Sequence, residues 1–127
     1  MNQKKILVVE DNSDLRELLV LVLGRLGYEI VEAATGVEAI ERTHATHPDL
    51  ILMDLGLPNL TGDEATVRLK ADPYTRDIPV IVTTAFLNGT LVERVATAGA
   101  AQIMYKPVDL SALRGMVNRY LIPDCEP

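Results

Sequence analysis

The chain has 127 residues, of which 48% are hydrophobic and 24% charged, and it carries a formal net charge of −6 at pH 7 with a sequence pI near 4.8. That length suits one domain with its own core, and the composition excludes a disordered chain. The acidity argues against a protein that coats nucleic acid through its phosphates, which needs a basic patch, so no direct nucleic-acid contact is expected.

Cys125 is the single cysteine, so an internal disulfide is excluded, and it reads as an exposed thiol without function. The start, "MNQKKILVVED", lacks the apolar stretch and cleavage site of a signal peptide. The longest uninterrupted apolar run, Leu18 to Leu23, falls far short of the roughly 20 residues of a membrane span. The expectation is a soluble, cytoplasmic protein with no membrane contact.

In chain order, "KILVVE" predicts a strand that is apolar on both faces. "NSDLRELLVLVLGRLG" predicts a helix capped by Asn12 or Ser13 and ended by Gly27, with Leu15, Leu18, Leu19, Val22, Leu23 and Leu26 as its core stripe. Val20 and Leu21 fall off that stripe, as tolerated surface or as a contact for a partner. "YEIVEAA" is a second strand and "TGVEAIERTHATH" a second helix, with Thr35 as cap. Its His44 and His47 lie three apart, but two ligands without a third make a weak metal site, and solvated helix-end histidines are the reading.

"DLILMD" is the third strand. Thr61 caps a third helix that stops at Asp72-Pro73. "IPVIVTTA" is a fourth strand, followed by a short helix around residues 89–98. "AQIMYK" is a fifth, and "DLSALRGMVNRYL", capped by Asp109 or Ser111, closes the chain. Strands apolar on both faces need cover on both faces. Five strand–helix units in alternation therefore predict an α/β sandwich of three layers around a parallel sheet.

In such a sheet the C-terminal strand ends share one rim, where ligands bind. Strand one ends in Glu10-Asp11, strand three in Asp54, strand four in Thr83-Thr84 and strand five in Lys106-Pro107. Three carboxylates converging at one place raise one another's pKa unless a cation sits among them, and all-oxygen donors suit Mg²⁺ or Mn²⁺. Such a cation leaves Asp54 ionised, and a carboxylate nucleophile accepts phosphoryl groups. The Lys106 ammonium, a threonine hydroxyl and loop N–H groups are placed to stabilise the charge on a transferred phosphoryl. Gly56 is read as allowing close backbone approach after Asp54, and Pro58 as stiffening the loop.

Over residues 4–121 these motifs resemble the receiver domains of bacterial two-component response regulators. "VVED" carries Glu10 and Asp11, "MDLGLPNLTG" resembles the phosphoacceptor loop with Asp54, "IVTTA" places Thr84 and Ala85, and "YKP" supplies Lys106 and Pro107. Thr84 and Lys106 follow Asp54 by 30 and 52 residues, as is typical of the family.

The resemblance implies a flavodoxin-like fold with strand order 2-1-3-4-5. It implies a metal held by Asp11, Asp54 and the carbonyl of Gly56, with Glu10 acting through water. It also implies a cis Lys106–Pro107 bond, a phosphohistidine donor on a sensor histidine kinase or phosphotransfer protein, and partly self-catalysed hydrolysis of the acyl phosphate. An output partner would meet the surface formed by the fourth helix, fifth strand and fifth helix, and a second copy of the chain is a further candidate partner.

Of the threonine doublet, family spacing selects Thr84. Ile103 occupies the position of the switch aromatic, and Tyr105 shares its parity. Phe86 stands two residues after Thr84, at a position that in the family flanks the phosphoryl pocket, and the resemblance implies that it limits water access there.

The whole chain is expected to be one receiver domain with a short tail at 122–127. It is a single-domain regulator or phosphorelay intermediate, or else the excised receiver of a larger regulator or hybrid kinase. A haloacid-dehalogenase-like phosphohydrolase wants a second aspartate where Gly56 stands. A flavodoxin-like electron carrier wants a hydroxyl-rich loop where "EDNSDL" stands. A degenerate receiver that binds without phosphorylation is disfavoured by the complete set of acids, threonine and lysine.

Overall fold

A computed structural model describes residues 3–85 and 89–122. The strands are β1 (Lys5–Val9), β2 (Glu29–Ala33), β3 (Leu50–Asp54), β4 (Val80–Thr84) and β5 (Gln102–Tyr105). The helices are α1 (Ser13–Arg25), α2 (Gly36–Thr46), α3 (Gly62–Ala71), α4 (Gly89–Ala98) and α5 (Leu110–Leu121). All strand pairs are parallel, in the order β2-β1-β3-β4-β5. This is the three-layer α/β sandwich that the alternation predicts.

Two apolar layers flank the sheet, divided by strand parity. Leu7, Val9, Ile51, Met53, Val80 and Val82 face α2, α3 and α4, where Ala39, Ala65, Leu69 and Val95 meet them. Ile6, Val8, Leu50, Leu52, Ile81 and Met104 face α1 and α5, against Leu19, Leu23, Leu113 and Val117. The inner strands are buried on both faces, which is why their sequences show no alternation.

Local chemistry sets the helix starts. Asn12 Oδ1 accepts from Leu15 N at 2.9 Å, Thr35 Oγ1 from Glu38 N at 3.0 Å, and Asp109 Oδ1 from Ser111 N at 2.9 Å. Thr61 N donates to Glu64 Oε1 at 3.1 Å, the reciprocal half of a capping box.

The stripe on α1 is narrower than its sequence suggests. Leu19 and Leu23 are buried and Leu15 and Leu26 partly so, but Leu18 is exposed together with Leu21. One turn of helix offers the sheet fewer positions than a run of six aliphatic residues supplies. The histidines of α2 are also more tightly held than solvated helix-end residues. His44 Nε2 lies 2.6 Å from Asp72 Oδ2 and its ring stacks on Tyr74, while His47 caps the helix in the left-handed region and meets Tyr74 edge-on. Among the described residues, no helix is long and apolar enough to cross a membrane.

Candidate functional site

Strand parity and register assemble the site. Ile6 and Val8 continue to Glu10, Leu50 and Leu52 to Asp54, and Met104 to Lys106, so all three polar side chains leave the sheet on its α1/α5 side. Val9 pairs with Met53, which brings the residues after them, Glu10 and Asp54, side by side at the rim. Glu10 and Asp11 lie just past the last residue of β1, and Lys106 just past the last of β5.

Lys106 Nζ lies 3.0 Å from Glu10 Oε1 and 3.2 Å from Asp54 Oδ1, so a side chain that follows the edge strand β5 reaches the ends of the inner strands β1 and β3. Glu10 and Asp54 are buried, whereas Asp11 is exposed and opens the site to solvent. Burial pushes the Glu10 carboxyl above its ordinary pKa and the nearby Asp54 charge adds to this, against the Asn12 N–H and the Lys106 ammonium. Burial alone lowers the pKa of Lys106, but its hydrogen bond to Glu10 and the charges of both acids outweigh that and raise it.

One carboxylate oxygen each from Glu10, Asp11 and Asp54 lies within 4.8 Å of the others. That all-oxygen, anionic donor set fits a hard divalent cation. Gly56 N donates to Asp54 Oδ1 at 3.3 Å.

Residues 6–118 match the model of the response regulator receiver domain. The chain belongs to that family. The receiver is 36% identical over 118 residues to the polar-differentiation response regulator DivK of Brucella ovis, covering 93% of this chain and 96% of that one. It is 33% identical to the signal receiver domain of a signal transduction histidine kinase from Syntrophus aciditrophicus, with a TM-score of 0.88 and coverage of 97% and 95%. It is 31% identical to the receiver domain of the sensor histidine kinase PA1611 from Pseudomonas aeruginosa, with a TM-score of 0.86 and coverage of 94% and 98%. That last structure has a magnesium ion coordinated in its active-site cleft.

Within this receiver, Glu10, Asp11, Asp54 and Lys106 come together as the strand-end pattern predicts, and Lys106–Pro107 is cis. Thr84 is buried at the end of β4, with Ala85 exposed immediately after it. Thr83 is buried too, and the register pairs it with Asp54. Ile103 is partly buried against the α2–α4 layer, and Tyr105, on the same side of β5, is exposed. Phe86 and Cys125 lie outside the described residues.

The glycine reading needs correction. A Cβ added at Gly56 meets nothing within 4 Å, so packing does not demand glycine there. The close approach belongs to Gly62, where an added Cβ would collide with the Asp54 carbonyl oxygen and lie 2.9 Å from Leu55 Cα. Gly62 N also donates to Leu55 O at 2.9 Å, tying the start of α3 to the loop that follows Asp54.

Two further contacts escape the sequence pattern. Arg16 Nη1 donates to the Glu10 carbonyl at 2.7 Å, and Arg94 Nη2 of α4 meets Asp63 Oδ2 of α3 at 2.5 Å. The first ties α1 back to the end of β1 and the second joins α4 to α3, 31 residues apart, and no local periodicity announces either.

Proposed function

We propose that this receiver accepts a phosphoryl group on Asp54 from a phosphohistidine of a sensor histidine kinase or phosphotransfer protein, or from a small phosphodonor. The observation that carries this is a buried strand-end carboxylate held 3.2 Å from an ammonium and clustered with two further acids. Asp11, Asp54 and the Gly56 carbonyl would hold Mg²⁺ or Mn²⁺, with Glu10 acting through water. The bound cation supplies positive charge that screens the acids from one another and from the incoming phosphoryl oxygens.

An ionised Asp54 oxygen attacks phosphorus, the P–N bond of the phosphohistidine breaks, and the imidazole nitrogen keeps the bonding pair and takes up a proton. Lys106 pairs with one phosphoryl oxygen as the charge arrives, and the Thr84 hydroxyl donates to another. Ala85, small and exposed, leaves room above them. Pro107 fixes the turn that presents Lys106.

Water later attacks the acyl phosphate, returning free Asp54 and inorganic phosphate, and Phe86 limits that water's access. The change is read at the surface of α4, β5 and α5, where Tyr105 stands exposed and Ile103 lies beneath, by an output partner or a second copy of the chain.

Intact-protein mass after incubation with acetyl phosphate and Mg²⁺ tests this. A single phosphoryl adduct is expected, absent in Asp54→Asn and absent with chelator. A folded wild type that stays unmodified, even with a phosphohistidine donor, overturns the reading in favour of a phosphorylation-independent binding module.

A further inference from the structure

We propose that Arg16 is a positioning residue for the cation site: its guanidinium fork fixes the Glu10–Asp11 peptide by holding the Glu10 carbonyl and Glu32 at once. This rests on the Asp54 and Mg²⁺ reading above and deepens it.

The parallel ladders of β1 end at Val9, paired with Ala33 on one side and Met53 on the other. The chain must then turn to present Glu10 inward and Asp11 to solvent. Glu10 N still finds a sheet acceptor, Ala33 O at 3.0 Å. The Glu10 carbonyl lies past the ladder, and a backbone oxygen in a partly buried place needs a donor. Arg16 Nη1 supplies it at 2.7 Å, while Arg16 Nε donates to Glu32 Oε1 of β2 at 3.1 Å.

The side chain is only 20% exposed, unlike an ordinary surface ion pair. A peptide unit is planar, so holding the Glu10 oxygen also sets where the Asp11 backbone begins. The geometry calls for arginine because two donors of one rigid fork serve two acceptors, whereas a lysine ammonium is a point charge on a flexible stem.

Charge and geometry act in opposite directions here. A guanidinium near the acids repels an added cation, so losing its charge alone would tighten Mg²⁺ binding. Losing the fork loosens the acid pair and weakens binding.

Calorimetric titration of Mg²⁺ into the wild type, Arg16→Met, Arg16→Lys and Glu32→Ala separates these. Positioning predicts weaker binding by roughly tenfold in both Arg16 variants and a smaller loss in Glu32→Ala. Phosphorylation by acetyl phosphate should slow at limiting Mg²⁺ and recover at saturating Mg²⁺, which a general loss of fold would not permit. Unchanged or tighter binding in Arg16→Met overturns the proposal, as does full rescue by Arg16→Lys, which would show that a single flexible donor suffices and that the rigid fork is not needed. Should Arg16→Met fail to fold, the Arg16→Lys and Glu32→Ala results decide. A wild type that binds no Mg²⁺ overturns the underlying reading and this inference with it, whereas a binding wild type with indifferent variants overturns the inference alone.

Discussion

Asp54 and Thr83 are register partners across β3 and β4, so strand alternation sets their side chains on one face of the sheet and Thr84 on the other. Thr84 is nevertheless one rise of about 3.3 Å further out along the strand, the direction in which the proposed phosphoryl group on Asp54 would extend. Its carbonyl also accepts from Lys106 N at 2.8 Å, which ties it to the residue whose ammonium faces Asp54. A hydrogen bond to a charged group contributes about 1.5–3 kcal/mol, which is about tenfold to a hundredfold in affinity. Thr84→Val should therefore weaken binding of a fluoroberyllate phosphoryl analogue by that factor in the presence of Mg²⁺, and Thr83→Val should leave it unchanged. The reverse order in a titration would transfer the role to the register partner.

Lys106 sits between two acids that the proposed cation also needs. In the proposed reaction its ammonium competes with the cation for their oxygens before phosphorylation and stabilises the new charge during it. Lys106→Met keeps the apolar stem and removes the charge. Calorimetry should show Mg²⁺ binding several-fold tighter, while the rate of adduct formation with acetyl phosphate falls by about 100-fold. A variant that loses both together would show that Lys106 helps to build the cation site rather than competing with it.

The strands and the acid positions were legible because each depends on local pattern. Ile6–Val9 and Leu50–Met53 are apolar runs that end on an acid, and they can be buried on both faces only in the middle of a covered parallel sheet. What was illegible depends on register and approach. Arg16 looks like any helix-surface arginine until the end of the β1 ladder leaves the Glu10 carbonyl beside it. Leu18 fits a helical stripe as well as Leu19 does, and only the placement of α1 on the sheet separates them. Gly56 is beside Asp54 in sequence, but the close approach to the Asp54 backbone is made by Gly62, which only the folded chain brings there.

That last distinction is measurable. Alanine favours a helix over glycine by about 1 kcal/mol, so propensity alone predicts that Gly62→Ala, at the first position of α3, is stabilising. The added methyl meets the backbone of Asp54 and Leu55, which cannot swing aside as a side chain can. Overpacking of this kind costs about 1–3 kcal/mol or more. Urea unfolding should find Gly62→Ala destabilised by about 2 kcal/mol, with Gly56→Ala within about 0.5 kcal/mol of wild type. Equal stabilities would mean that the loop after Asp54 yields easily, and that Gly62 does not fix its path.

His44 gives the fold a pH-dependent contact on the α2 side, away from Asp54. Its Nε2 faces Asp72 Oδ2 at 2.6 Å and its Nδ1 faces the Ile40 carbonyl at 3.1 Å. Both partners are acceptors, so only the doubly protonated imidazolium donates to both. The hydrogen bond to Asp72 and then that to Ile40 raise the His44 pKa above 6.5, and the same contact, helped by the Tyr74 N–H, lowers that of Asp72 below 3.8. A raised histidine pKa contributes stability that is fully present below the unfolded value and is lost as pH rises through the folded one. The lowered carboxylate contributes above its unfolded value and loses this as pH falls through the folded one. The pair therefore supports the fold most between about pH 4 and 6.5 and releases it above that window. Both side chains are partly exposed, so the effect is screened by salt. Urea melts at pH 6 and pH 8 in low salt should show a loss of stability in the wild type that shrinks in both His44→Gln and Asp72→Asn, and the difference should fade at 1 M NaCl. An identical pH dependence in all three proteins would place the titrating contact elsewhere.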